Sequence, residues 1–160
     1  MIARATPGSD GWTIREARPS DAEKLARCID ASYRKYKKRI SDLPPVSEGI
    51  EEDIRNNHVW VVDVANEIVG GVVIVKGADH VLLANIAVDP RHSGRGLGRA
   101  LIDQAEQVCR ELGLRVLRLT THAAMPENIG FYEHLGWRKN GGSGNKITMV
   151  KNIRRGHSQR

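Results

Sequence analysis

The sequence is poor in aromatic residues, and it contains no long apolar run. Aromatic side chains make up 4% of the 160 residues, so we expect an aliphatic core. The chain lacks any stretch of about 18 consecutive apolar residues, which argues against a membrane-spanning helix. Its first residues, MIARATPGSDGW, lack the apolar segment of a secretory signal. The sequence therefore predicts a cytoplasmic protein with no membrane partner.

Cysteine is also scarce. The two cysteines are Cys28 and Cys109, and no CxxC pair is present. Two isolated cysteines do not form a metal cluster, so we expect no metal site. Each cysteine falls in a predicted helix, and we expect buried free thiols, which suit a reducing cytoplasm.

The remaining composition is that of one folded domain. Hydrophobic residues make up 40% and charged residues 28% of the chain, a mix typical of globular proteins. A chain of this length can bury one substantial core. We expect a single domain over residues 1–160, with its core at about 12–152 and a basic tail at 153–160.

Positive charge is concentrated in two segments. Residues 34–39, RKYKKR, carry +5, and residues 151–160 carry +4. The formal net charge of the whole chain is +6, so the rest of the chain carries −3. Such segments either keep a surface solvated or bind an anionic partner such as a nucleotide cofactor, an acidic substrate or RNA. The sequence leaves both interpretations open.

Hydrophobic periodicity predicts helices placed between strands. Helices are predicted over 20–33, 47–57, 97–112 and 126–135, and strands over 12–15, 59–64, 68–75, 81–88 and 116–120, with two further strands around a turn at 141–144. Ser20 is the predicted N-cap of the first helix. The basic segment and Leu43-Pro44-Pro45 are predicted to form a linker. This order favours a layered α/β or α+β fold.

A glycine-rich turn lies between a predicted strand and a predicted helix. Its glycines are Gly94, Gly96 and Gly98, and they permit positive φ and close approach of the backbone to a ligand. A helix N-terminus offers free N–H groups to an anion, so the turn is a candidate phosphate site. A turn that needs glycine for steric reasons alone is the alternative. The spacing fits neither a P-loop nor the dinucleotide fingerprint.

Two segments resemble the signatures of the GNAT N-acetyltransferase superfamily. Residues 85–98, NIAVDPRHSGRGLG, resemble its acetyl-CoA-binding signature, with Arg91, Gly94 and Gly96 at the positions of Arg/Gln-x-x-Gly-x-Gly/Ala. Residues 127–137, ENIGFYEHLGW, resemble its Asn-x-x-x-x-Tyr-x-x-x-Gly-aromatic signature. The order of elements over about 12–152 also fits. The resemblance implies a mixed sheet of about six to seven strands flanked by about four helices.

The same resemblance implies an N-acetyltransferase that uses acetyl-CoA as cosubstrate. The implied cofactor-binding residues are Ile86, Ala87, Val88, Arg91, His92, Ser93, Gly94, Arg95, Gly96, Leu97, Gly98, Arg99, Asn128 and Tyr132. Backbone amides over 91–98 would hold the pyrophosphate, and the strand over 81–88 would pair with pantetheine. Amides at 86–88 would stabilise the oxyanion of the tetrahedral intermediate.

The catalytic residues implied by the resemblance are one acid and no certain base. Tyr132 would protonate the departing thiolate, or it packs the short helix onto the sheet. Similar members often carry a glutamate near the position of Ala84, and alanine cannot act as a base. His122 is the candidate base, since its ordinary pKa of about 6.5 suits the role, and His80 is a weaker one. A water chain, or an amine that arrives neutral, would need no side chain.

The resemblance implies that the acceptor is a primary amine, and we expect it to belong to a small molecule or peptide. Tyr33 and Tyr36 either line its pocket or pack in the core. The basic segment would repel a polycation, so an amine that bears a carboxylate, or an N-terminus on an acidic partner, fits better. Two rival functions remain. One is an RNA-directed acetyltransferase that acts on aminoacyl-tRNA, although nucleic acid is the less favoured partner. The other is a non-catalytic module that binds acetyl-CoA. Dimers are common in the superfamily, which leaves a homodimer open.

Overall fold

A computed structural model of the chain describes residues 6–7, 11–41 and 47–154, and the structural statements below concern these residues. The strands are β1 Thr6–Pro7, β2 Thr13–Glu16, β3 His58–Val64, β4 Glu67–Lys76, β5 Val81–Val88, β6 Val116–His122, β7 Arg138–Ser143 and β8 Lys146–Asn152. The helices are α1 Ala22–Lys37, α2 Ile50–Asn56, α3 Leu97–Glu111 and α4 Pro126–His134. The predicted Leu43-Pro44-Pro45 linker, most of the first ten residues and the tail from residue 155 lie outside the described ranges.

All the described strands form one mixed sheet, in the order β1-β2-β3-β4-β5-β6-β8-β7. Strands β1 to β5 are antiparallel neighbours, β5 and β6 are parallel, and β8 lies antiparallel between β6 and β7. Helix α3 provides the crossover that a parallel pair requires. The predicted mixed sheet with four helices is confirmed, and the two-residue β1 brings the described strands to eight, one more than expected.

Helices cover both faces of this sheet. Strand β3 alternates between the two faces: Val59 and Val61 pack with α1 and α2, whereas Trp60 and Val62 pack on the side of α3. This two-residue alternation follows from strand geometry. The larger cluster, around α3, also contains buried residues of β6 and β8. The core is therefore mainly aliphatic, as the composition predicts.

The predicted start of the first helix is wrong by two residues. Helix α1 begins at Ala22, after a short 3-10 turn, and Ser20 does not cap it. Asp21 precedes the helix, and its carboxylate accepts hydrogen bonds from the backbone N–H of Arg18 at 2.7 Å and from Arg15 at 2.8 Å. The carboxylate of Asp21 thus forms a salt bridge with Arg15 and caps the 3-10 turn, and it does not cap α1.

The predicted linker is also wrong over residues 34–37. These residues form the last turn of α1, which ends at Lys37. Cationic side chains are favourable at a helix C-terminus because they oppose its negative dipole end. The basic segment therefore extends the helix by one turn instead of ending it.

Several other element ends differ from the predictions by one to three residues. Helix α2 begins at Ile50, after Gly49 in the left-handed conformation, and β6 continues to His122. The final hairpin turns at Gly144 and Asn145, so Gly141 belongs to β7 rather than to the turn. Each of these differences is at an element end, where short-range sequence signals are weakest.

Close packing holds α1 on the sheet. A Cβ atom added to Gly71 of β4 would lie 2.5 Å from Cδ1 of Leu25 on α1, so glycine permits this helix to approach the strand. Cys28 on α1 and Cys109 on α3 are both buried and free, as predicted. None of the described helices is both long enough and apolar enough to cross a membrane.

Candidate active site

Strands β5 and β6 separate shortly after they begin. In the described sheet they pair at only two positions, Val81 with Leu117 and Leu82 with Arg118, although β5 continues for six more residues to Val88. The β5 edge that faces β6 therefore keeps backbone N–H and C=O groups without a neighbouring strand. Ligands bind at such openings, at the carboxyl ends of strands in a sheet.

A bulge in β5 lies at the start of this opening. Val73 of β4 pairs with Asn85, and Ile74 pairs with Leu83, so Ala84 is an extra residue without a partner in the register. A bulge bends and twists its strand, which turns the end of β5 away from β6. Ala84, the position at which similar proteins often carry a glutamate, is exposed.

The loop after β5 is a rigid support for the N-terminus of α3. The carboxylate of Asp89 accepts hydrogen bonds from the backbone N–H of Arg91 at 2.9 Å and from its guanidinium at 2.9 and 3.2 Å. Gly96 has φ +80° at the N-cap of α3, and no described side chain caps this helix. The first N–H groups of α3 therefore remain available to an anion.

These features surround one cleft of about 490 Å³. The cleft is lined by the end of β5, by the loop and first turn of α3, by α4, and by the second half of α1. The predicted residues that line it are Tyr33, Tyr36, Ile86, Ala87, Val88, His92, Ser93, Gly94, Gly96, Leu97, Gly98, Arg99, Asn128 and Tyr132. Most of the predicted site thus converges on one concave surface.

Known proteins are similar to this chain in sequence and in fold. The model of the acetyltransferase (GNAT) family matches residues 25–137. The chain is 32% identical over 127 residues to the amino-acid acetyltransferase of Mycobacterium tuberculosis, which covers 75% of this chain and 68% of that protein. It is 38% identical over 61 residues to the ribosomal protein bS18-alanine N-acetyltransferase of Escherichia coli, which covers 38% and 41% of the two chains.

The chain belongs to the GNAT acetyltransferase family. A solved structure of the PaiA N-acetyltransferase of Thermoplasma acidophilum in complex with coenzyme A has the same fold, with a TM-score of 0.78 and 17% identity. That likeness covers 89% of this chain and 99% of the other.

The three arginines of the GNAT loop have different surroundings. Arg99 lines the cleft, as predicted for a residue near the phosphates. Arg91 does not line it, since its guanidinium is held by Asp89. Nη1 of Arg95 donates a hydrogen bond to Nδ1 of His92 at 2.7 Å. Arg95 is likewise absent from the cleft lining. Only one of the three side chains is thus placed to add charge directly to the cleft.

Tyr132 lies on α4 at the floor of the cleft. It is 6% exposed, and its ring packs against Phe131 at 5.4 Å and Trp137 at 5.7 Å between centroids. Burial, and to a smaller degree the nearby phenols of Tyr33 and Tyr36, raise the pKa of Tyr132 well above its ordinary value. The hydroxyl therefore stays protonated throughout the neutral range and can donate a hydrogen bond. Packing and a chemical role are both compatible with this position.

Two neighbouring α4 residues line the same cleft. Asn128 is not the N-cap of α4, a position held by Met125, and its amide Nδ2 donates to Sδ of Met125 at 3.3 Å. Phe131 is the one large hydrophobic side chain that the described surface exposes, at 37%. A Cβ atom added to Gly98 would lie 3.3 Å from the ring of Phe131, so the cleft narrows between α3 and α4 at this point.

His122 lies at the end of β6 and does not line the cleft. Its Nδ1 accepts a hydrogen bond from the backbone N–H of Ala124 at 2.9 Å. A neutral histidine in this arrangement carries its proton on Nε2, so neither ring nitrogen is ready to accept one from a substrate. This geometry supports a role in the β6–α4 turn and argues against the base role. His80, the weaker candidate, bonds Asp79 at 2.8 Å and also lies outside the cleft lining.

Helix α1 forms the side of the cleft at which the acceptor is predicted to bind. Tyr33 and Tyr36 both line it, and their ring centroids are 6.2 Å apart. Tyr36 is also buried against Ile40 and Met125, so both alternatives left open for these tyrosines apply to it. Lys35 Nζ lies 4.9 Å from the centre of the Tyr36 ring and lines the cleft as well.

Sequence reasoning missed four residues of the cleft lining. They are Ser32, Lys35, Pro90 and Phe131. Ser32 and Lys35 would have been found if the helical periodicity of α1 had been continued to residue 37, because they share a face with Tyr36. Phe131 lies within the second signature, but its neighbour Tyr132 carried the family pattern.

The basic segment does not form one surface. Lys35 faces the cleft, and Arg39 forms a salt bridge with Glu127 of α4 at 3.1 Å. Lys37 lies 4.0 Å from Asp30 of the same helix, and Arg34 lines a different groove. Nucleic-acid binding normally requires cations gathered on one face, so this distribution favours the protein and small-molecule alternatives over RNA.

Proposed function

We propose that this GNAT protein transfers an acetyl group from acetyl-CoA to a primary amine of a small molecule or peptide. The observation that carries the proposal is the single cleft that joins an open strand edge, an uncapped helix N-terminus and a buried tyrosine. An extended pantetheine arm suits the strand edge, and the pyrophosphate suits the first N–H groups of α3. The coenzyme A held by the PaiA structure supports this choice of cosubstrate.

In the proposed reaction the amine nitrogen attacks the thioester carbonyl carbon directly. A C–N bond forms, the C–S bond breaks, and the nitrogen loses one proton to water. Backbone N–H groups at 86–88 are proposed to hold the carbonyl oxygen as its negative charge develops. Positioning of both reactants in one cleft supplies a further part of the acceleration.

Tyr132 is the proposed acid. Its raised pKa keeps the proton on the hydroxyl, and among the described residues this hydroxyl makes no hydrogen bond that would compete. Because the pKa of a thiol is lower than that of a buried phenol, complete transfer of the tyrosine proton to the departing thiolate is unfavourable. Tyr132 therefore acts chiefly by donating a hydrogen bond to the sulfur as the C–S bond breaks, and a proton follows from the reacting amine through solvent.

No carboxylate lines the described part of the cleft, and we propose that the amine reacts after losing its proton to water. For an acceptor with a pKa of about 9, log kcat/KM should then rise with a slope of one up to the pKa of that amine. Replacing the acceptor by an amine of lower pKa should lower the pH at which this rise levels off by the difference between the two amine pKa values. A bend that stays near pH 7 for every acceptor would instead reveal a base on the enzyme.

The proposed acceptor carries a carboxylate close to its amine. Lys35 supplies a positive charge on the α1 side of the cleft. This charge would repel a polycation and attract a carboxylate. The Mycobacterium tuberculosis relative is an amino-acid acetyltransferase, which is consistent with this chemistry.

The test is a panel of acceptors assayed by release of free thiol from acetyl-CoA. Amino acids and short peptides should be acetylated at rates well above the solution background, and spermidine should not. Lys35→Gln should lower kcat/KM for a carboxylate-bearing acceptor by roughly tenfold, with little change for its methyl ester. Turnover of no amine at all would favour the binding-module alternative, and equal turnover of spermidine would remove the carboxylate proposal.

Three further properties are part of the proposal. A single domain over 1–160 is supported by the one sheet that all described strands join. The two buried free thiols suit the cytoplasm. A homodimer is supported only by the exposed edge strand β7, whose unpaired backbone edge can accept another strand. Light scattering after size-exclusion chromatography distinguishes monomer from dimer.

A further inference from the structure

Helix α1 separates the acetyl-CoA cleft from a second groove. Residues 32, 33, 35 and 36 face the cleft, whereas residues 24, 27, 28, 31 and 34 face the groove, which has a volume of about 590 Å³. Its opposite wall is formed by the turn between β3 and β4 and by the start of the loop after β5. The groove therefore lies behind the wall of the cleft and uses other side chains.

Four cationic side chains converge on this groove. Lys24, Arg27 and Arg34 come from α1, and Arg91 comes from the opposite wall. Two carboxylates, Glu67 and Asp89, also line it, and Asp89 is occupied by Arg91. The lining thus carries a net positive charge, with the cations on both walls.

Two of these cations are available to a ligand. Within the described ranges, Arg34 makes no hydrogen bond or ion pair with another residue. Arg27 pairs with Glu23 at 3.3 Å, but the two side chains are 70% and 84% exposed, and such surface pairs contribute little. Both guanidinium groups can therefore bind an incoming anion at small cost.

The buried residues that line the groove carry no unpaired charge. Cys28 and Ile68 are apolar, and the buried carboxylate of Asp89, which lies next to Cys28, is paired with Arg91. Burial raises the pKa of the Cys28 thiol to about 12, so it carries no negative charge to oppose an anion. Buried residues without unpaired charge, between cationic walls, suit a ligand with a charged group and a small organic body.

We propose that this groove binds a phosphate-bearing small molecule, separately from acetyl-CoA. Guanidinium groups match phosphate oxygens in paired hydrogen bonds, and the groove volume lies within the range of small-molecule sites. The proposed site includes none of the residues that line the cleft, so both sites can be filled at once. It adds a second ligand to the protein and does not depend on the identity of the acceptor.

The test is calorimetric titration of inorganic pyrophosphate into the full chain, with and without saturating coenzyme A. Coenzyme A occupies the cleft, so saturable pyrophosphate binding that persists in its presence reports the groove. Arg34→Gln and Arg27→Gln should each weaken this binding by about tenfold. Arg138→Gln, which removes the same charge from an exposed position on β7, should change it less than twofold.

Three results would overturn the proposal. Pyrophosphate binding that disappears when coenzyme A is present would assign it to the cleft. Equal weakening by Arg34→Gln and Arg138→Gln would mean that pyrophosphate binding depends only on the overall charge of the protein. Binding of an acidic peptide, but not of pyrophosphate, with the same dependence on Arg34 would assign the groove to a protein partner. If coenzyme A itself fails to bind, the variants still test the groove, because neither Arg27 nor Arg34 lines the cleft.

Discussion

The two edges of strand β6 are paired very differently. On one edge β6 pairs with β8 at seven positions, from Val116 with Asn152 to His122 with Lys146. On the other edge it pairs with β5 at two positions. The fully paired edge stabilises the sheet, whereas the open edge leaves backbone groups and space for a ligand. In this protein the candidate site begins where strand pairing stops.

The largest expected effect is on the closed edge. Met149 of β8 is fully buried and pairs with Leu119 of β6. Met149→Ala should lower the free energy of unfolding by about 2–5 kcal/mol, because it leaves a cavity in the core. Urea denaturation measures the change, and Lys139→Ala on the exposed neighbouring strand is the control. At a temperature where the variant stays folded, its kcat should be within a few-fold of the parent value; a large loss of kcat would contradict the division between the edges.

The next effect belongs to the open edge. Tyr132→Phe should lower kcat by roughly a hundredfold, the usual size of a lost general acid, and leave acetyl-CoA affinity and thermal stability nearly unchanged. Tyr36→Phe is the matched control, since it also removes a phenol from the cleft, but one that lies on α1 rather than on α4. Equal rates for the two variants, measured under saturating acetyl-CoA, would reduce Tyr132 to a packing residue.

A smaller effect tests the loop that supports the open edge. The hydrogen bond from the Arg91 side chain, with its backbone N–H and charge, holds the pKa of Asp89 below its usual value. A lowered folded pKa means that Asp89 stabilises the fold above pH 4 and that this contribution is lost as the pH falls through the folded value. Asp89→Asn should cost about 1.5 kcal/mol at pH 7.

The pH dependence separates this effect from a simple loss of packing. The difference in unfolding free energy between the parent and Asp89→Asn should shrink as the pH falls from about 5 to 2, because the parent carboxylate becomes protonated. A difference that stays constant over this range, followed by chemical denaturation, would mean that the charge of Asp89 is not the source of its contribution.

The smallest effect on stability compares the two ends of α3. Gly96 at its start and Gly113 just after its end both have positive φ, +80° and +76°, with open space around an added Cβ. Alanine at either position should cost about 1 kcal/mol of stability. Only Gly96→Ala should also weaken acetyl-CoA binding, because it disturbs the N–H groups at the open edge. Isothermal titration of both variants measures this, and equal affinities would count against the phosphate role of this turn.

The sequence predicted the regular elements better than their ends. The strands β3 to β5 and helix α3 agree with the alternation and periodicity of their apolar residues, since burial on one face requires those patterns. The end of α1 was missed because its last turn is polar, and its stability comes from the helix dipole and from packing of Tyr36 against Met125. Such long-range contacts leave no local pattern.

The sequence predicted only part of the candidate site, because some of its residues belong to contiguous motifs and others do not. The glycines of the α3 turn and Tyr132 belong to contiguous motifs, and the structure brings them to one cleft. Lys35 and the groove-facing Arg34 were hidden in one charge run, because adjacent residues of a helix point in different directions. His122 was a reasonable base by residue type, but its place outside the cleft lining and its contact with the backbone N–H of Ala124 argue against it.

The amino-acid sequence by itself determined the family, the order of elements and the glycine-rich turn proposed to hold phosphate, because each depends on residues close together in the chain. The tertiary structure alone decided where β5 leaves β6, which arginines face the cleft, and that α1 separates two concave surfaces. They include a bulge at Ala84 and a salt bridge of Arg39 with Glu127, which joins parts of the chain far apart in sequence. Contacts between residues far apart in sequence are set only when the whole chain packs.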